Sequence, residues 1–415
     1  MTSERVVIVG GGVIGVCSAY YALKRGFSVT VVQREDAGGD LCSLGNSGMI
    51  VPSHFIPLAA PGMISQSLRW LLNPESPFFI RPRINPDLLR WGWLFYRNST
   101  ERHVVASRGL LRDLHLESRR LFCELAAHED FGLVRHGMLM LCKTAQGLHE
   151  EAQVAATARE IGLHAEVIDA AACAKLDPGV TMDVAGAVHF AQDCHLDPAR
   201  FMASMQRKLL ELGGVIECGV TLDTIETRNG RVIALTGNGR RFEGDQFVIA
   251  GGAWSADLLA SIGLRLPLQA GKGYSLTMPS PPEMPRLCSI LTEAKVAVTP
   301  MGGRLRFGGT MEVGGLDLSI KPRRVHGIVK SVNAYFPEFS EGLFSNIKPW
   351  AGLRPLSPDG IPYLGKTAGL PNMIAACGHA MMGLSLGPVS GRLVADLLAG
   401  DAPFRPIDAM SPDRF

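Results

Sequence analysis

The stretch from Val6 to Gly15, V-V-I-V-G-G-G-V-I-G, constrains the fold of this chain more than any other. An apolar strand, a glycine turn and a helix start follow one another directly, which is the succession a phosphate-binding βαβ unit requires. Gly10 permits the tight turn, Gly12 lets the backbone approach a pyrophosphate, and Gly15 lets the helix pack closely on the strand. The helix expected from about Val13 has an apolar face of Ile14, Val16, Ala19, Tyr20, Ala22 and Leu23, and it ends at Lys24-Arg25-Gly26. Its N-terminus would aim free N–H groups and the positive end of its dipole at the phosphates. A second strand, Ser28 to Val32, completes the unit. It ends about twenty residues beyond the glycines, where such folds carry an acid for the ribose hydroxyls. Here that place is held by Gln33, followed by Arg34 and Glu35. A dinucleotide site is the expectation, with a plain βαβ core as the alternative.

At 415 residues and 47% hydrophobic content the chain has the material for a large core in two or three domains. The balance of 41 basic and 39 acidic side chains leaves a net charge of +2, which does not point to nucleic acid as a partner. The nine cysteines are scattered with no C-x-x-C pair, so neither a disulfide framework nor a metal site is expected, and a reducing, cytoplasmic compartment fits. The first strand begins within a few residues of Met1, leaving no room for a signal or transit peptide in this reading. No apolar run reaches the roughly 20 residues that span a bilayer. Arg90 to Arg97, R-W-G-W-L-F-Y-R, is rich enough in aromatics to rest peripherally on the inner face of a membrane. The plainer alternative is a helix packing those aromatics into a second domain.

From about His54 to Gln192 the pattern changes to loops rich in proline and aromatics and then to long helices, Leu110 to His128 and Leu148 to Ile161, beside short strands at Met138 to Cys142 and Gly186 to Phe190. After Asp197 come a helix (Arg200 to Leu212), a strand (Val215 to Cys218), and a meander of Thr221 to Thr227, a turn at Asn229-Gly230, Arg231 to Thr236 and Gln246 to Ala250. Pro279 to Pro285 reads as a proline-rich loop or linker. One domain is interrupted by another.

Four further segments carry chemistry: D-L-C-S-L-G-N-S-G-M-I at Asp40 to Ile50, F-V-I-A-G-G-A-W-S at Phe247 to Ser255, W-A-G-L-R-P-L-S-P-D-G-I-P-Y-L-G at Trp350 to Gly365, and C-G-H-A-M-M-G-L-S-L at Cys377 to Leu386. With A-A-P-G at Ala59 to Gly62, G-K-G-Y-S-L at Gly271 to Leu276 and G-G-T-M-E at Gly308 to Glu312, the chain resembles, nearly end to end, the FAD-dependent D-amino-acid oxidase superfamily. Within it, the bacterial D-amino-acid dehydrogenases are the nearest likeness. The resemblance implies an α/β fold: a Rossmann-like, glutathione-reductase-like FAD-binding domain (residues 1–52, 193–258 and 348–415) interrupted by an α+β substrate domain (53–192 and 259–347) with a mixed or antiparallel sheet.

It also implies that FAD is held by Gly10, Gly12, Val13, Ile14, Gly15, Gln33, Arg34, Ser43, Asn46, Ser47, Gly48, Val220, Ala250, Gly251, Gly378, Met382 and Gly383. The residues themselves give independent reasons for part of this set. Ser43, Asn46, Ser47 and Gly48 supply small side chains and turn backbone able to follow a cofactor, or else an ordinary polar loop. Ala250-Gly251 ends a strand where backbone must again pass close, or makes a simple strand–helix corner. After His379 the chain turns at Gly383 into a helix that tolerates Pro388 in its first turn and is ended by Gly400. If its N-terminus points at the flavin, as in the family, its dipole stabilises reduced flavin.

Arg354, in Gly352-Leu353-Arg354-Pro355, matches the family's carboxylate-binding arginine, and a guanidinium offers a planar two-point fork suited to a carboxylate. A structural salt bridge to Asp359 is the alternative. Tyr274 is a second substrate and catalytic candidate, or a core tyrosine. His379 could touch the ring edge, or be a satisfied core histidine. His54, in the loop Ser53-His54-Phe55-Ile56, is a substrate candidate because that loop departs from an alanine-preferring dehydrogenase.

The expected reaction aligns a D-amino acid through Arg354 so that the Cα hydride passes to flavin N5, leaving an imine that hydrolyses to a 2-oxo acid and ammonia. D-proline or a hydroxy-D-proline is the first substrate guess and D-alanine the next, with electrons passed to a quinone or carrier. An oxygen-using amine oxidase of glycine or sarcosine oxidase type and a non-catalytic flavin-binding subunit are the alternatives. Oligomeric state and any covalent flavin link stay open.

Overall fold

The computed structural model describes residues 3–36, 39, 41–65 and 75–415. Asp40, the first residue of the second motif, lies outside the described residues. The opening βαβ unit forms where the apolar periodicity and glycines require it. Strand β1 (Arg5–Val9) and strand β2 (Ser28–Val32) run parallel, from Arg5 opposite Ser28 to Val9 opposite Val32, around helix α1 (Val13–Lys24), and Gly26 turns the chain at φ +87°. They belong to a six-stranded sheet in the order Tyr363–Thr367, Leu370–Cys377, Gln246–Ile249, β1, β2, Val215–Glu217. All neighbours pair parallel except the edge strand Tyr363–Thr367. Continuous apolar runs such as V-V-I-V suit these strands because both faces are covered. On one face α1 packs against the C-terminal helix Gly387–Ala399 so closely that a Cβ on Gly391 would lie 2.5 Å from the Cys17 carbonyl carbon. On the other sits a three-stranded meander whose tight turn at Asn229-Gly230 has φ of +51° and +70°.

A larger nine-stranded sheet stands beside the first. Its main path runs Trp350–Leu356, Gln269–Met278, Arg304–Val313, Val296–Met301, Cys288–Leu291, Met138–Cys142, Gly186–Phe190, Ala165–Asp169, with Phe78–Ile80 paired along Arg304–Val313. Pairing is antiparallel except for Cys288–Leu291 with Met138–Cys142 and Phe78–Ile80 with Arg304–Val313, so the sheet is mixed. The strand Trp350–Leu356 is in this sheet because it pairs along Gln269–Met278, although in sequence it falls within 348–415.

Two helices begin earlier than their apolar periodicity. The helix expected from Leu110 runs Glu101–Ala126, capped by the Thr100 hydroxyl, which accepts from His103 N. Its first turns are largely exposed, so the apolar signal starts only where the buried face does. Thr144 caps Ala145–Glu160 in the same way. The strand Arg240–Glu243 was absent from the sequence reading, being charged and largely exposed. The aromatic stretch forms a helix, Pro86–Asn98, but only one side packs: Trp91 and Leu94 are buried and Trp91 Nε1 donates to Leu356 O, whereas Leu89, Trp93 and Tyr96 face outward. No helix among the described residues is long and apolar enough to cross a membrane.

Candidate active site

A cavity of about 920 Å³ runs between the two sheets, from Gln33 and Arg34 past Gly10–Ile14 to Arg354 and Lys295. At its first end Gly10 has φ +105°, and a Cβ there would lie 2.4 Å from Ala250 O. Only glycine permits this crossing of the turn over the neighbouring strand. Gly12 is the N-cap of α1 and faces open space, its nearest neighbour being Ser43 Oγ, which accepts from Val13 N at 3.0 Å. The first turn of α1 holds no acid, so its N–H groups and positive dipole end are available to an anion. Gly15 lies behind this surface, packed on Gly10 O.

Gln33 is buried at 5% exposure. Its Nε2 donates to Glu35 O and to Cys218 Sγ, while its Oε1, beside Gly11, meets no donor among the described residues. Arg34 lies 3.9 Å over the Trp254 ring, and both line the cavity together with Val220, Ala250 and Gly251.

Along the middle of the cavity run Ser43, Asn46 and Ser47. Arg306, which the sequence reading did not single out, clamps this loop from the larger sheet: its Nη1 donates to Leu44 O (2.8 Å) and Asn46 O (2.7 Å), and its Nε to Thr277 Oγ1. Gly48 turns behind the wall, where a Cβ would meet Leu196 O. Met382 and Gly383 line the cavity, but Gly378 is turned against the Tyr363 ring instead. His379 also lines it. Its Nε2 bonds with Ser390 Oγ at 2.9 Å, and burial pushes its pKa down to about 3, so the ring is neutral.

At the far end the Arg354 guanidinium reaches over Gly273, where a Cβ would lie 2.2 Å from Nη2. Its Nη1 donates to Thr310 O at 2.5 Å and touches Met311 Sδ, and Thr310 holds that carbonyl with a φ of +68°. No carboxylate comes within ion-pair distance of Arg354 among the described residues. Asp359, the alternative partner, is taken by Arg414 at 2.7 and 2.9 Å. Burial holds the Arg354 pKa below its ordinary value.

Tyr274 lines the cavity with its ring, but its hydroxyl donates to Glu312 at 3.1 Å, in a buried cluster with Lys272. His54 faces the cavity, with Nδ1 3.0 Å from Ser53 Oγ. Met140, Ile290, Ala297 and Met382 give this end apolar walls. Lys295 and the Ser53–Asp193 pair completing this region escaped the sequence reading, because no motif marks them.

A family model described as FAD dependent oxidoreductase matches residues 5–397. Among solved structures, glycine oxidase from Geobacillus kaustophilus is similar with a TM-score of 0.80 and 23% identity over 100% of both chains. L-proline dehydrogenase from P. horikoshii has a TM-score of 0.74 at 17% identity over 99% of this chain and 97% of its own. L-alpha-glycerophosphate oxidase from Mycoplasma pneumoniae, with FAD bound, has 0.73 at 16% over 99% and 98%. These likenesses carry the fold. The residues present also fit FAD: a glycine cradle at a helix N-terminus, a buried acceptor with no donor where a ribose would lie, and a cavity continuous from there to an unpaired arginine.

Proposed function

The chain belongs to the FAD dependent oxidoreductase family, and from that premise we propose that it oxidatively deaminates a D-amino acid by hydride transfer from Cα, giving an imine and then a 2-oxo acid and ammonia. The single observation that carries this reading is Arg354, a half-buried guanidinium with no acid partner among the described residues at the end of the cofactor cavity. A partly desolvated charge without a counter-ion is costly and persists where a ligand completes it. An amino acid brings the matching carboxylate.

FAD, when bound, supplies the chemistry by taking up the hydride. The residues of the chain do the rest. Gln33 Oε1 would accept from the ribose, and α1 would meet the pyrophosphate. Arg354 fixes the carboxylate, Thr310 O holds the guanidinium in place, and Gly273 leaves room for it. Met140, Ile290 and Met382 exclude water around a small apolar side chain, which favours D-proline or a hydroxy-D-proline first and D-alanine next. The neutral rings of His379 and His54 add no repelling charge. The same reading keeps the division into an FAD-binding part (1–52, 193–258, 348–415) and a substrate part (53–192, 259–347), with Trp350–Leu356 bridging them. Electrons pass to a quinone or carrier. Exposed Leu89, Trp93 and Tyr96, flanked by Arg90 and Arg97, support peripheral contact with a membrane where a quinone is met.

A second reading, an oxygen-using oxidase, is favoured by Lys295 on the cavity wall, because a nearby cation stabilises the negative charge that dioxygen gains on reduction. Anaerobic bleaching of the flavin absorbance with a panel of D- and L-amino acids tests the first reading. Bleaching by D-isomers supports it, and bleaching only by L-isomers or N-methylated amines overturns the stereochemistry. Oxygen uptake during turnover separates oxidase from dehydrogenase.

A further inference from the structure

Behind His54, which lines the same cavity as Arg354, is a hydrogen-bonded chain that the deamination reading does not yet use. Asp193 is fully buried. Its Oδ1 accepts from Ser53 N at 3.1 Å and its Oδ2 from Ser53 Oγ at 2.5 Å. The Ser53 hydroxyl in turn lies 3.0 Å from His54 Nδ1. His54 lines the cavity, and its Nε2 makes no hydrogen bond among the described residues.

Counting protons fixes what this chain does. A serine hydroxyl has one proton to give. An amide N–H can only donate, so Asp193 Oδ1 is always an acceptor, and any carboxyl proton sits on Oδ2, toward Ser53. With Asp193 ionised, Ser53 must donate to Oδ2, since a buried anionic oxygen without a donor is costly. The Ser53 oxygen then accepts from His54 Nδ1–H, and Nε2 presents a bare lone pair to the cavity. With Asp193 protonated every bond reverses: Oδ2–H donates to Ser53, Ser53 donates to Nδ1, and Nε2–H becomes a donor. The two states differ by one proton, taken up at Nε2 and accommodated by a shift of each hydrogen bond along a continuous path.

We propose that Asp193, Ser53 and His54 form a proton relay that takes the ammonium proton of the substrate at His54 Nε2 and stores it on Asp193. The inference rests on the amine-oxidation reading above, since an amino acid arrives as an ammonium and can release hydride only once its nitrogen lone pair is free. The step balances. The substrate N–H breaks as Nε2–H forms, Nδ1–H breaks as a new serine O–H forms, and the old serine O–H breaks as Oδ2–H forms. No electrons are gained or lost, one cation and one anion are neutralised, and the substrate carboxylate stays on Arg354.

The environments suit the roles. Burial pushes the Asp193 carboxyl up to about 7, against the bonds from Ser53 and the charge of Arg119. Cys194 and Cys288 are its other titratable neighbours. Burial, and then the charge of Lys295, push His54 down to about 4, and His115 packs nearby with its own ring held neutral. His54 therefore passes the proton on, and Asp193 keeps it.

The test is anaerobic stopped-flow bleaching of the holoenzyme from pH 5.5 to 9.5, using the amino acid that reduces the wild type best, together with 15N NMR of histidine-labelled protein. In the wild type the bleaching rate should rise about tenfold per pH unit to a break near pH 7, and His54 should change tautomer across the same range. In Asp193→Asn the amide donates permanently to Ser53, so Nε2 stays protonated. The break and the tautomer change should vanish, and the rate at pH 8 should fall by two orders of magnitude or more. Ser53→Ala should lose the break and Ser53→Thr should keep it, and this pair decides the matter should Asp193→Asn not retain flavin. A persistent break and tautomer change in flavin-loaded Asp193→Asn or Ser53→Ala overturns the relay. A wild type that no amino acid or amine bleaches overturns the deamination reading instead, and a tautomer that fails to change with pH in the same sample overturns the relay independently.

Discussion

Replacing Arg354 by methionine separates a ligand-binding arginine from a structural one, because the two roles move stability in opposite directions. Among the described residues the guanidinium holds only Thr310 O and a sulfur contact. Losing that bond costs about 1 kcal/mol, while removing a partly desolvated charge with no acid partner gives back a similar amount. With unfolding entropy near 2.1 cal/mol/K per residue, 415 residues give roughly 0.9 kcal/mol per degree. The Tm of Arg354→Met should therefore stay within about 2 °C of the parent or rise. Breaking a structural buried ion pair would cost about 3–5 kcal/mol and lower Tm by about 4–6 °C. The ligand side moves the other way. Two charge-assisted hydrogen bonds to a carboxylate are together worth about 3–5 kcal/mol, so affinity for a carboxylate should fall by roughly 10²–10⁴-fold. Titrating the flavin spectrum of the oxidised holoenzyme with an unreactive carboxylate reads the second quantity, and thermal melting reads the first. A Tm lowered by 4 °C or more with unchanged carboxylate affinity would refute the reasoning.

Three further outcomes follow from the geometry. Gln33→Leu removes the buried acceptor beside Gly11 and should weaken FAD about tenfold, near 1–1.5 kcal/mol, in a fluorescence titration of the apoprotein, whereas Gln33→Glu keeps an acceptor and should retain most of the affinity. Gly273→Ala puts a Cβ 2.2 Å from Arg354 Nη2; it should raise KM about tenfold with flavin content unchanged, because a guanidinium moves more easily than backbone but loses its alignment. Asp193→Asn should melt higher than the parent at pH 8, by at most about 4 kcal/mol or 5 °C. The folded pKa of Asp193 is raised to about 7 from an ordinary 3.8, so the parent has its full stability below about pH 4 and loses it as pH rises to 7. The difference between the two proteins should accordingly grow from pH 4 to 7 and then level off; a constant difference across that range counts against a raised Asp193.

The parts of the site legible in sequence are those built from neighbours along the chain. The dinucleotide cradle is one strand, one turn and one helix, and its glycines are forced by contacts visible as spacing: Gly10 against Ala250, Gly15 against Gly10. Arg354 was legible through its motif, but its want of an acid partner was not, because that depends on Arg414 taking Asp359 from fifty-five positions away. The Asp193–Ser53 bond spans 140 positions and joins two residues of unremarkable type. Tyr274 shows the converse: its motif pointed to the pocket, yet its hydroxyl is committed to Glu312 on the adjacent strand.

Charge at the Arg354 end of the cavity links recognition to the relay. Burial keeps His54 and His379 neutral, with pKa values pushed down to about 4 and about 3. Below about pH 7, where Asp193 is protonated, the charged side chains that line this end without an acid partner among the described residues are Arg354 and Lys295, both cationic. Such a site attracts a carboxylate and repels the ammonium of the same amino acid at a few ångströms' distance, where a buried like-charge contact costs several kcal/mol. Losing the ammonium proton to His54 removes that repulsion, so binding and deprotonation assist one another. Affinity for an amino acid should consequently rise with pH up to about 7, while affinity for a carboxylate of the same shape lacking the amine should stay level across this range. Measuring both by flavin difference spectra at each pH tests the coupling directly. If the two ligands share one flat profile, the amine is not read by this end of the cavity, and the relay has no proton to take.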